Sequence, residues 1–522
     1  MKTKAVMAPS KGIIKKEEFP VNLIPDDAWS DGLNVRFGNG YIEKVSGWQK
    51  FIGQQLDGPI VAIDNYYHFN GDEYLMFVTP ATVYKYDITN NTAVGITTNL
   101  TGDTSDIITT ETAQDLFLLT NGKDAVKYWD GVAASIVDLP GLDDCVNADQ
   151  TAGVVVNSAR CIASFNNFLL LGGTTEDGYS YPQRIRWSQM GNIQKWKLET
   201  DGSGQAGWGD LTDGVDWIVR LVPFQNYLVA YKERSIQVLT YVGGTTIFDK
   251  WPARMGTGLL APKAIVDLGD EHLFLGPDNF YSFTMQEVLV AGDAIGKDFF
   301  GMLDPEKADL TTAFVVEEQS EAWFTFVSAN SPDGLHDMAV IYNYDTKAWS
   351  IREMPMTAFG YYRAKENMTI DSFDVEIDSM NMAFDDSTNL SNSPINLCAD
   401  AQGYIYVLSG HSKDGADLAC YGRTKLFDFD RPDKLKRANR IQFMISREGA
   451  YGLEVRVGTA ANVDEPISWS DTQYMSLDKT SPPWIDIDIT DRYMMFEFGT
   501  PGKDQPFRIT GYIVYYEERG RI

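Results

Sequence analysis

Hydrophobic and polar residues alternate with a period of two over much of this chain. Near the N-terminus, Leu33, Val35 and Phe37 alternate with polar residues, which is the pattern of a half-buried β-strand. Residues 38–40 read Gly-Asn-Gly, a composition that favours a tight turn. Residues 41–45 then supply a returning strand. The sequence therefore predicts a β-hairpin over residues 33–45.

A block of similar pattern recurs along the chain. In each copy a polar turn precedes a short hydrophobic strand, a second turn and a strand rich in aromatic and β-branched residues. The copies lie at residues 72–88, 113–131, 165–173, 224–244, 269–284, 320–345 and, more loosely, 401–410. Each is usually led by another β-rich stretch and followed by a short candidate outer strand. The spacing of roughly 40–60 residues is typical of β-propeller blades.

These patterns predict an all-β fold, a β-propeller of about seven four-stranded blades followed by a C-terminal β-sandwich. The expected boundaries are an N-terminal arm at 1–27, the propeller at 28–430 and the sandwich at 431–522. Two or three stacked β-sandwiches are the alternative. The basic run Arg431–Arg440 is interpreted as a solvated linker that offsets local acidity, with phosphate binding as the alternative.

One stretch, residues 364–396, departs from the blade pattern because it is polar and acidic. Long loops inside compact domains are commonly functional or disordered. We interpret it as an insertion that projects from the propeller, either toward an interface or channel or as plain disorder. Its acidic residues are Asp371, Asp374, Glu376, Asp378, Asp385 and Asp386.

Charge and composition narrow the functional classes. The chain has 522 residues and a net charge of −29, which argues against a protein that grips nucleic-acid phosphates with clustered lysine and arginine. A wall past which DNA must slide would instead be acidic. The N-terminus lacks the apolar core of a signal peptide, and no apolar run approaches the ~18 residues of a membrane span. We therefore expect a protein without membrane insertion.

Candidate chemistry is sparse. The four cysteines form no CxxC pair and the four histidines share no metal-ligand spacing, so buried free thiols and no metal or cofactor are expected. Residues 292–298 only approach a phosphate loop, and residues 201–216 lack the residue order of a calcium-binding EF-hand loop. Glycoside hydrolysis stays open because the 73 acidic residues include pairs that could approach one another. Nothing in the sequence requires an enzyme.

Two stretches resemble the tail nozzle family of short-tailed bacteriophages, which includes the packaged-DNA stabilisation proteins. The first stretch carries a PxN…NVRFxxGxxxKxxG pattern and the second a KExSIxxL strand. The matching residues are Pro20, Asn22, Asn34, Arg36, Phe37, Gly40, Lys44 and Gly47 in the first, and Lys232, Glu233, Ser235, Ile236 and Leu239 in the second.

The resemblance implies a structural virion protein. Members of the family are β-propellers that assemble as a ring, usually of six copies, below the portal and adaptor. They line the distal tail channel, retain packaged DNA and open for ejection. It implies a homo-oligomeric ring, a tail adaptor as partner, tail fibres or a tip plug as further candidates, and DNA that passes without sequence-specific binding. Such a protein is made and assembled in the bacterial host cytoplasm and resides in the virion tail. A polysaccharide-cleaving propeller and a receptor-binding adhesin module are the alternatives.

A role for the N-terminal hairpin follows from the propeller prediction. N-terminal strands can complete a blade begun by C-terminal strands and so remove free sheet edges. We expect the hairpin at 33–45 to pair with residues 404–409 and 418–422 and close the propeller. Arg36 and Lys44 would then be cross-strand partners or interface contacts, and not DNA ligands.

Overall fold

Some strands of this protein alternate buried with partly exposed side chains, as at Thr312–Val316, whereas others, such as Glu321–Phe326, are buried along their whole length. The computed structural model describes residues 2–15, 20–97, 100–103, 106–147, 153–198, 204–244, 246–362, 394–446 and 449–521. The N-terminal segment contributes five strands: β1 (Lys2–Met7), β2 (Trp29–Leu33), β3 (Val35–Gly38), β4 (Tyr41–Lys44) and β5 (Gln49–Lys50).

Within the described ranges, seven four-stranded antiparallel sheets follow one another along the chain. Blade 1 contains β6 (Ala62–Tyr67), β7 (Glu73–Val78), β8 (Val83–Asp87) and β9 (Thr92–Gly95). Blade 2 contains β10 (Thr109–Ala113), β11 (Leu116–Thr120), β12 (Lys127–Trp129) and β13 (Val137–Asp138). Blade 3 contains β14 (Val156–Phe165), β15 (Phe168–Glu176), β16 (Tyr179–Trp187) and β17 (Gly207–Asp210). Blade 4 contains β18 (Ile218–Phe224), β19 (Tyr227–Lys232), β20 (Ser235–Tyr241) and β21 (Phe248–Met255).

The remaining blades include the few helices among the described residues. Blade 5 contains β22 (Ile265–Asp267), β23 (His272–Leu275), β24 (Phe280–Phe283) and β25 (Val288–Val290), followed by the helix α1 (Gly296–Met302) and a 3₁₀ helix (Pro305–Leu310). Blade 6 contains β26 (Thr312–Val316), a 3₁₀ turn (Glu317–Gln319), β27 (Glu321–Phe326), β28 (Met338–Asn343) and β29 (Ala348–Glu353). Blade 7 contains β30 (Ala358–Tyr362), β31 (Ile395–Ala399), β32 (Ile405–Val407) and, as its outermost strand, β5.

The blades form a closed ring because a hydrophobic cluster fills each contact between consecutive blades. Between blades 7 and 1, for example, Leu397 and Ala399 pack with Ile63 and Phe77. Burial of apolar area, at ~25 cal/mol per Å², is the main force that holds such faces together. The predicted β-propeller is confirmed, with seven blades.

The ring closes through the two-residue strand β5. Gln49 pairs with Val407 and Lys50 pairs with Tyr406, so the segment that precedes blade 1 supplies the fourth strand of blade 7. This arrangement holds the two ends of the propeller together within one blade.

The other strands build a β-sandwich of two six-stranded sheets. The C-terminal strands are β33 (Cys420–Thr424), β34 (Lys434–Ile445), β35 (Gly452–Ala460), β36 (Ser468–Trp469), β37 (Gln473–Ser476), β38 (Trp484–Asp491), β39 (Tyr493–Thr500) and β40 (Arg508–Arg521). The first sheet has the order β3-β4-β40-β34-β38 with β1 also on β40, and the second has the order β2-β33-β39-β35-β36 with β37 on β35.

Aromatic residues from both sheets meet in the core of the sandwich. Phe443 and Tyr512 of the first sheet pack on Phe498 of the second, with ring centroids 4.9 and 5.2 Å from it. The same hydrophobic cluster continues into blades 5 and 6, where it includes Phe280 and Trp349. The sandwich therefore packs directly against the propeller and shares a hydrophobic core with it.

The prediction that the hairpin at 33–45 closes the propeller is wrong, because the hairpin pairs with a different strand. The hairpin forms, with Arg36 opposite Glu43, but β4 pairs with β40 of the sandwich. Residues 404–409 do receive an N-terminal strand, which is β5 rather than the hairpin. Residues 418–422 pair with β2, with Leu33 opposite Tyr421, in the second sandwich sheet. The prediction failed because strand patterning does not identify a partner when several unpaired edges are present.

The strand pairing also divides the chain differently from the predicted boundaries. Residues 2–44 contribute four strands, β1 to β4, to the two sandwich sheets, and residues 420–424 contribute β33. The basic run at 431–440 is not a linker, since Lys434 begins β34. Its side chains pair with carboxylates, Arg437 with Asp488 and Arg440 with Asp486, so the predicted offset of local acidity is confirmed.

Replacing Gly47 by alanine should destabilise the connection between the two domains. A Cβ atom at Gly47 would lie 1.9 Å from the Ser412 carbonyl oxygen, where the two backbones touch. Because the obstacle is backbone, we expect a cost of at least the ~1–3 kcal/mol of an overpacked site. Thermal unfolding should show a fall of several degrees in the transition temperature.

Gly53→Ala is the matched control, because a Cβ at Gly53 has open space around it. Equal stability of the two variants would contradict the close crossing at Gly47.

Candidate functional site

The predicted motif residues meet at the junction between blade 6 and the sandwich. Asn34 lies between β2 and β3 with a φ of 56°, a left-handed conformation that asparagine tolerates better than most residues. Its amide nitrogen donates to the Ala419 carbonyl at 2.7 Å and to a Glu353 carboxylate oxygen at 3.0 Å. Its amide oxygen accepts from the Glu353 backbone N–H at 2.9 Å. Asn34 thus ties β29 of blade 6 to the start of β33.

Arg36 spans the same junction by charge. Its guanidinium donates to its cross-strand partner Glu43 at 3.0 Å and to Glu321 of blade 6 at 3.1 Å. The Glu321 side chain is only 2% exposed, and it also accepts a hydrogen bond from the Trp323 indole at 2.9 Å. A buried carboxylate depends on such partners because its desolvation is costly.

Lys44 is buried in the sandwich although its side chain carries a charge. Its side chain is buried, and its ammonium donates to the Gly502 carbonyl at 2.6 Å. Burial lowers the pKa of Lys44, an effect that the nearby Cys420, Asp504 and Asp417 partly oppose. The expectation that Arg36 is a cross-strand partner and interface contact is confirmed, and Lys44 is an interface contact within the sandwich.

The other three motif residues shape the backbone and the core. Phe37 is buried and its ring lies 6.0 Å from that of Trp29. Gly40 has a φ of 88° in the hairpin turn, where a side chain would be strained. Gly47 makes the close crossing over Ser412. The structure therefore brings six of the eight motif residues of the first stretch into one connected region at the hairpin and its exit.

The second predicted group cannot be placed. Asp371, Asp374, Glu376, Asp378, Asp385 and Asp386 lie outside the described residues. The two strands that flank this stretch, β30 and β31, are neighbours in blade 7. Residues 395–396 of the predicted insertion already belong to β31.

Sequence reasoning missed a second polar site, the axial channel of the propeller. A cavity of about 160 Å³ lies between the first strands of six blades. It is lined by Arg220, Lys263 and the threonines Thr109, Thr110 and Thr312, among apolar residues.

Arg220 and Lys263 bring two positive charges into this cavity. Arg220 donates to the Pro262 carbonyl at 2.9 Å, and Lys263 donates to the Val61 carbonyl. Both side chains are enclosed by protein although the channel leaves them some contact with solvent. Burial, reinforced by the charge of Arg220, lowers the pKa of Lys263 to about 7, and burial also lowers the pKa of Arg220.

Two carboxyl groups lie near these cations along the channel. Burial, and then the neighbouring charge of Asp64, raises the pKa of Glu111 to about 7, against the opposing effect of Arg220. Burial also raises the pKa of Asp64, although its carboxyl is hydrogen-bonded to Thr110 and to the Asn65 backbone. The channel therefore contains groups of both signs that titrate near neutral pH.

A second cavity of about 120 Å³ adjoins the first, since both are lined by Val61, Lys263 and Thr312. Its wall includes His336, whose Nε2 lies 3.0 Å from the Leu310 carbonyl. Burial lowers the pKa of His336 to about 4, so the imidazole is neutral at physiological pH. The signal for this site in the sequence is a lone charge in the leading strand of a blade, as in Asp64, Glu111 and Arg220.

Other candidate chemistry is absent from the part of the chain that the structure describes. No group of three or more His, Cys, Asp and Glu side chains there is arranged to hold a metal ion. All four cysteines are buried free thiols, as predicted. In the same residues, no helix has both the length and the apolar character needed to cross a membrane.

Comparisons with known proteins do not assign a family. No protein-family model matches the chain and no curated protein matches it. Among solved structures it is similar to the computationally designed protein Ika8, with 12% identity over 73% of this chain and 96% of that one at a TM-score of 0.35. It is also similar to Raptor from Chaetomium thermophilum (10% identity, 71% of this chain, 30% of that one, TM-score 0.40). The WD40 domain of Pan2 from Neurospora crassa is a third (11%, 70%, 94%, TM-score 0.37). At these scores the fold rests on the strand pairing and blade contacts themselves.

Replacing Arg36 by methionine should weaken the junction. The change leaves Glu321 buried without its cation, which costs about 3 kcal/mol for a buried pair of this kind. Urea denaturation followed by tryptophan fluorescence should show the loss. Adding Glu321→Gln to Arg36→Met should recover part of it, because the unpaired buried charge is then gone.

Arg431→Met is the control for this pair of variants. Arg431 pairs with Asp433 on the surface, and we expect its loss to have no measurable effect. A purely additive result for Arg36 and Glu321 would contradict a direct interaction between them.

Replacing Glu111 by glutamine should stabilise the protein at pH 8 and leave it unchanged at pH 4. With a pKa raised from 4.5 to about 7, Glu111 binds more protons when folded than when unfolded between these values. Its contribution to stability is therefore present below about pH 4.5 and is lost as the pH rises through 7. Thermal and urea unfolding should show a gain of about 1–3 kcal/mol at pH 8.

Glu465→Gln, at an exposed site in the sandwich, should show no such pH dependence. A Glu111→Gln variant less stable than the parent at pH 8 would contradict the enclosed position of this carboxyl.

Proposed function

We propose that this chain is a structural component of a bacteriophage tail that forms the nozzle ring. In this role it lines and closes the distal DNA channel, retains packaged DNA and permits its ejection. Copies of the chain, six to a ring, stand side by side below a tail adaptor protein. The chain has a structural role in lining the channel and is not an enzyme, and it resides in the virion tail.

The position of the motif residues carries this proposal. Asn34, Arg36, Lys44 and Gly47 are each satisfied by protein groups of the sandwich or of the junction with blade 6 and blade 7. A resemblance that rests on residues of this kind reflects a shared architecture rather than a shared reaction. It supports a structural role for the propeller and sandwich as one unit.

The charge of the chain supports the same role. With a net charge of −29, a ring of copies would present an acidic wall, which repels DNA phosphates and lets the duplex pass without sticking. Three of the four basic residues of β34, the main candidate for phosphate binding, are engaged by carboxylates: Lys434, Arg437 and Arg440. The assignment of the acidic loop at 364–396 to the lumen remains a prediction.

The rim of the propeller offers a surface for side-by-side contact. The fourth strands of blades 4 and 5 expose apolar side chains: Trp251, Met255, Leu289 and Val290. Exposed apolar groups on a propeller edge are typical of a contact surface. We place one ring contact on this edge.

Cryo-electron microscopy of virions that carry a tagged copy of this chain tests the proposal. We expect the label in a ring at the distal end of the tail. A label on the head, on the fibres, or absent from the particle would overturn the nozzle assignment. So would release of new reducing ends from host polysaccharide by the pure protein.

The rim contact is tested separately by Leu289→Glu with Val290→Glu. This pair should reduce incorporation into particles at least tenfold, since each charge would be buried against the neighbouring copy. Val132→Glu is the control because Val132 is 77% exposed, in the loop between β12 and β13 of blade 2. Normal incorporation of the double variant would show that the ring contact does not lie on this edge. The nozzle assignment itself would still be decided by the position of the label in the virion.

A further inference from the structure

We propose that the axial channel of the propeller is a binding site for a small oxyanion, held by Arg220 and Lys263 together with Thr109. The ligand class is a free inorganic oxyanion such as phosphate or sulfate. This site is a property of the propeller alone and does not depend on the proposed role in a tail.

Among the described residues, no carboxylate lies within ion-pair distance of either cation, although the carboxyls of Glu111 and Asp64 are near Arg220. Neither Arg220 nor Lys263 forms an ion pair with a carboxylate in the described part of the chain, and the partner of each is a backbone carbonyl. Guanidinium has five N–H donors and ammonium has three, so most of their donors remain for a ligand. Both side chains line the same cavity of about 160 Å³.

The cations also lie close enough to repel each other, since the charge of Arg220 helps to lower the pKa of Lys263. Two like charges in an enclosed site are unfavourable unless an anion lies between them. The nearby carboxyls of Glu111 and Asp64 take up protons more readily than exposed carboxyls, because burial raises the pKa of both. A bound oxyanion would supply the missing charge.

A buried hydroxyl points to the same ligand. The Thr109 side chain lines the cavity and is 4% exposed, yet its Oγ1 has no hydrogen-bond partner among the described residues. Buried polar groups are nearly always hydrogen-bonded. An oxyanion in the cavity would accept from this hydroxyl as well as from the two cations.

The volume selects the size of the ligand. A cavity of ~150 Å³ accommodates a benzene-sized molecule, so the axial cavity of about 160 Å³ admits a four-oxygen anion. The cavity at His336 adjoins the proposed site, since Lys263 lines both cavities.

Isothermal titration of inorganic phosphate into the full-length protein, freed of phosphate and sulfate, tests the proposal. At pH 6.5, with ionic strength held constant by sodium chloride, we expect saturable binding with one site per chain. The transition temperature should rise with phosphate as a ligand that binds only the folded state requires. Absence of saturable binding would overturn the site.

Variants assign the binding to these residues. Lys263→Met should fold well because it removes a buried charge, and it should weaken phosphate binding at least tenfold. Thr109→Val, which keeps the side-chain shape, should weaken binding severalfold. Lys436→Met is the matched control, because Lys436 is another buried lysine whose partner is a backbone carbonyl, in the sandwich.

Diffraction from crystals soaked in selenate completes the test. An anomalous peak in the axial cavity, absent from Lys263→Met crystals, is the expected result. Unchanged phosphate affinity in Lys263→Met and Thr109→Val, or a selenate peak only on the outer surface, would overturn the proposal.

Discussion

The architecture depends on the pairing of a two-residue strand, β5, with β32. This pairing joins Gln49 to Val407 and completes the seventh blade, so every other blade contact in the ring relies on it for closure. The strand immediately follows a hairpin that belongs to the sandwich. Ring closure and sandwich assembly are therefore coupled through residues 45–48, including the backbone crossing at Gly47. Contacts between residues so distant in sequence form late and slowly.

Two kinds of buried charge serve different ends in this structure. At the junction, Arg36 is matched by Glu43 and Glu321, and the match fixes the orientation of the sandwich against blade 6. In the axial channel, the hydrogen-bond partners of Arg220 and Lys263 within the described part of the chain are backbone carbonyls. A paired buried charge is a structural tie, whereas an unpaired one stores free energy that a ligand of opposite sign can release. The strongly acidic exterior makes these internal cations more notable, since most of the surface repels anions.

Much of the fold is local enough to be predicted from the sequence. The blade repeats are evident because each strand alternates within its own few residues, and the hairpin is evident because Gly38–Gly40 favour a turn. The partner of the hairpin was predicted wrongly, since its apolar face fits either a blade edge or a sandwich sheet. The motif residues could be named but not understood, because the contacts of Asn34 lie near residues 353 and 419. The axial site was missed, since Asp64, Glu111 and Arg220 lie in different blades and meet only when the ring closes.

The sequence by itself determined the all-β class, the seven repeats, the hairpin and the acidic balance, because these follow from residue type and short-range periodicity. Only the tertiary structure decided which strand closes the ring, where the sandwich begins, and which isolated charges face the axis. The physical reason is that strand edges present the same backbone hydrogen-bonding groups whatever their side chains. The choice among edges is made by packing between residues far apart in the chain, as at Phe498 and Tyr512, and by the fit of buried charges such as Arg36 and Glu321.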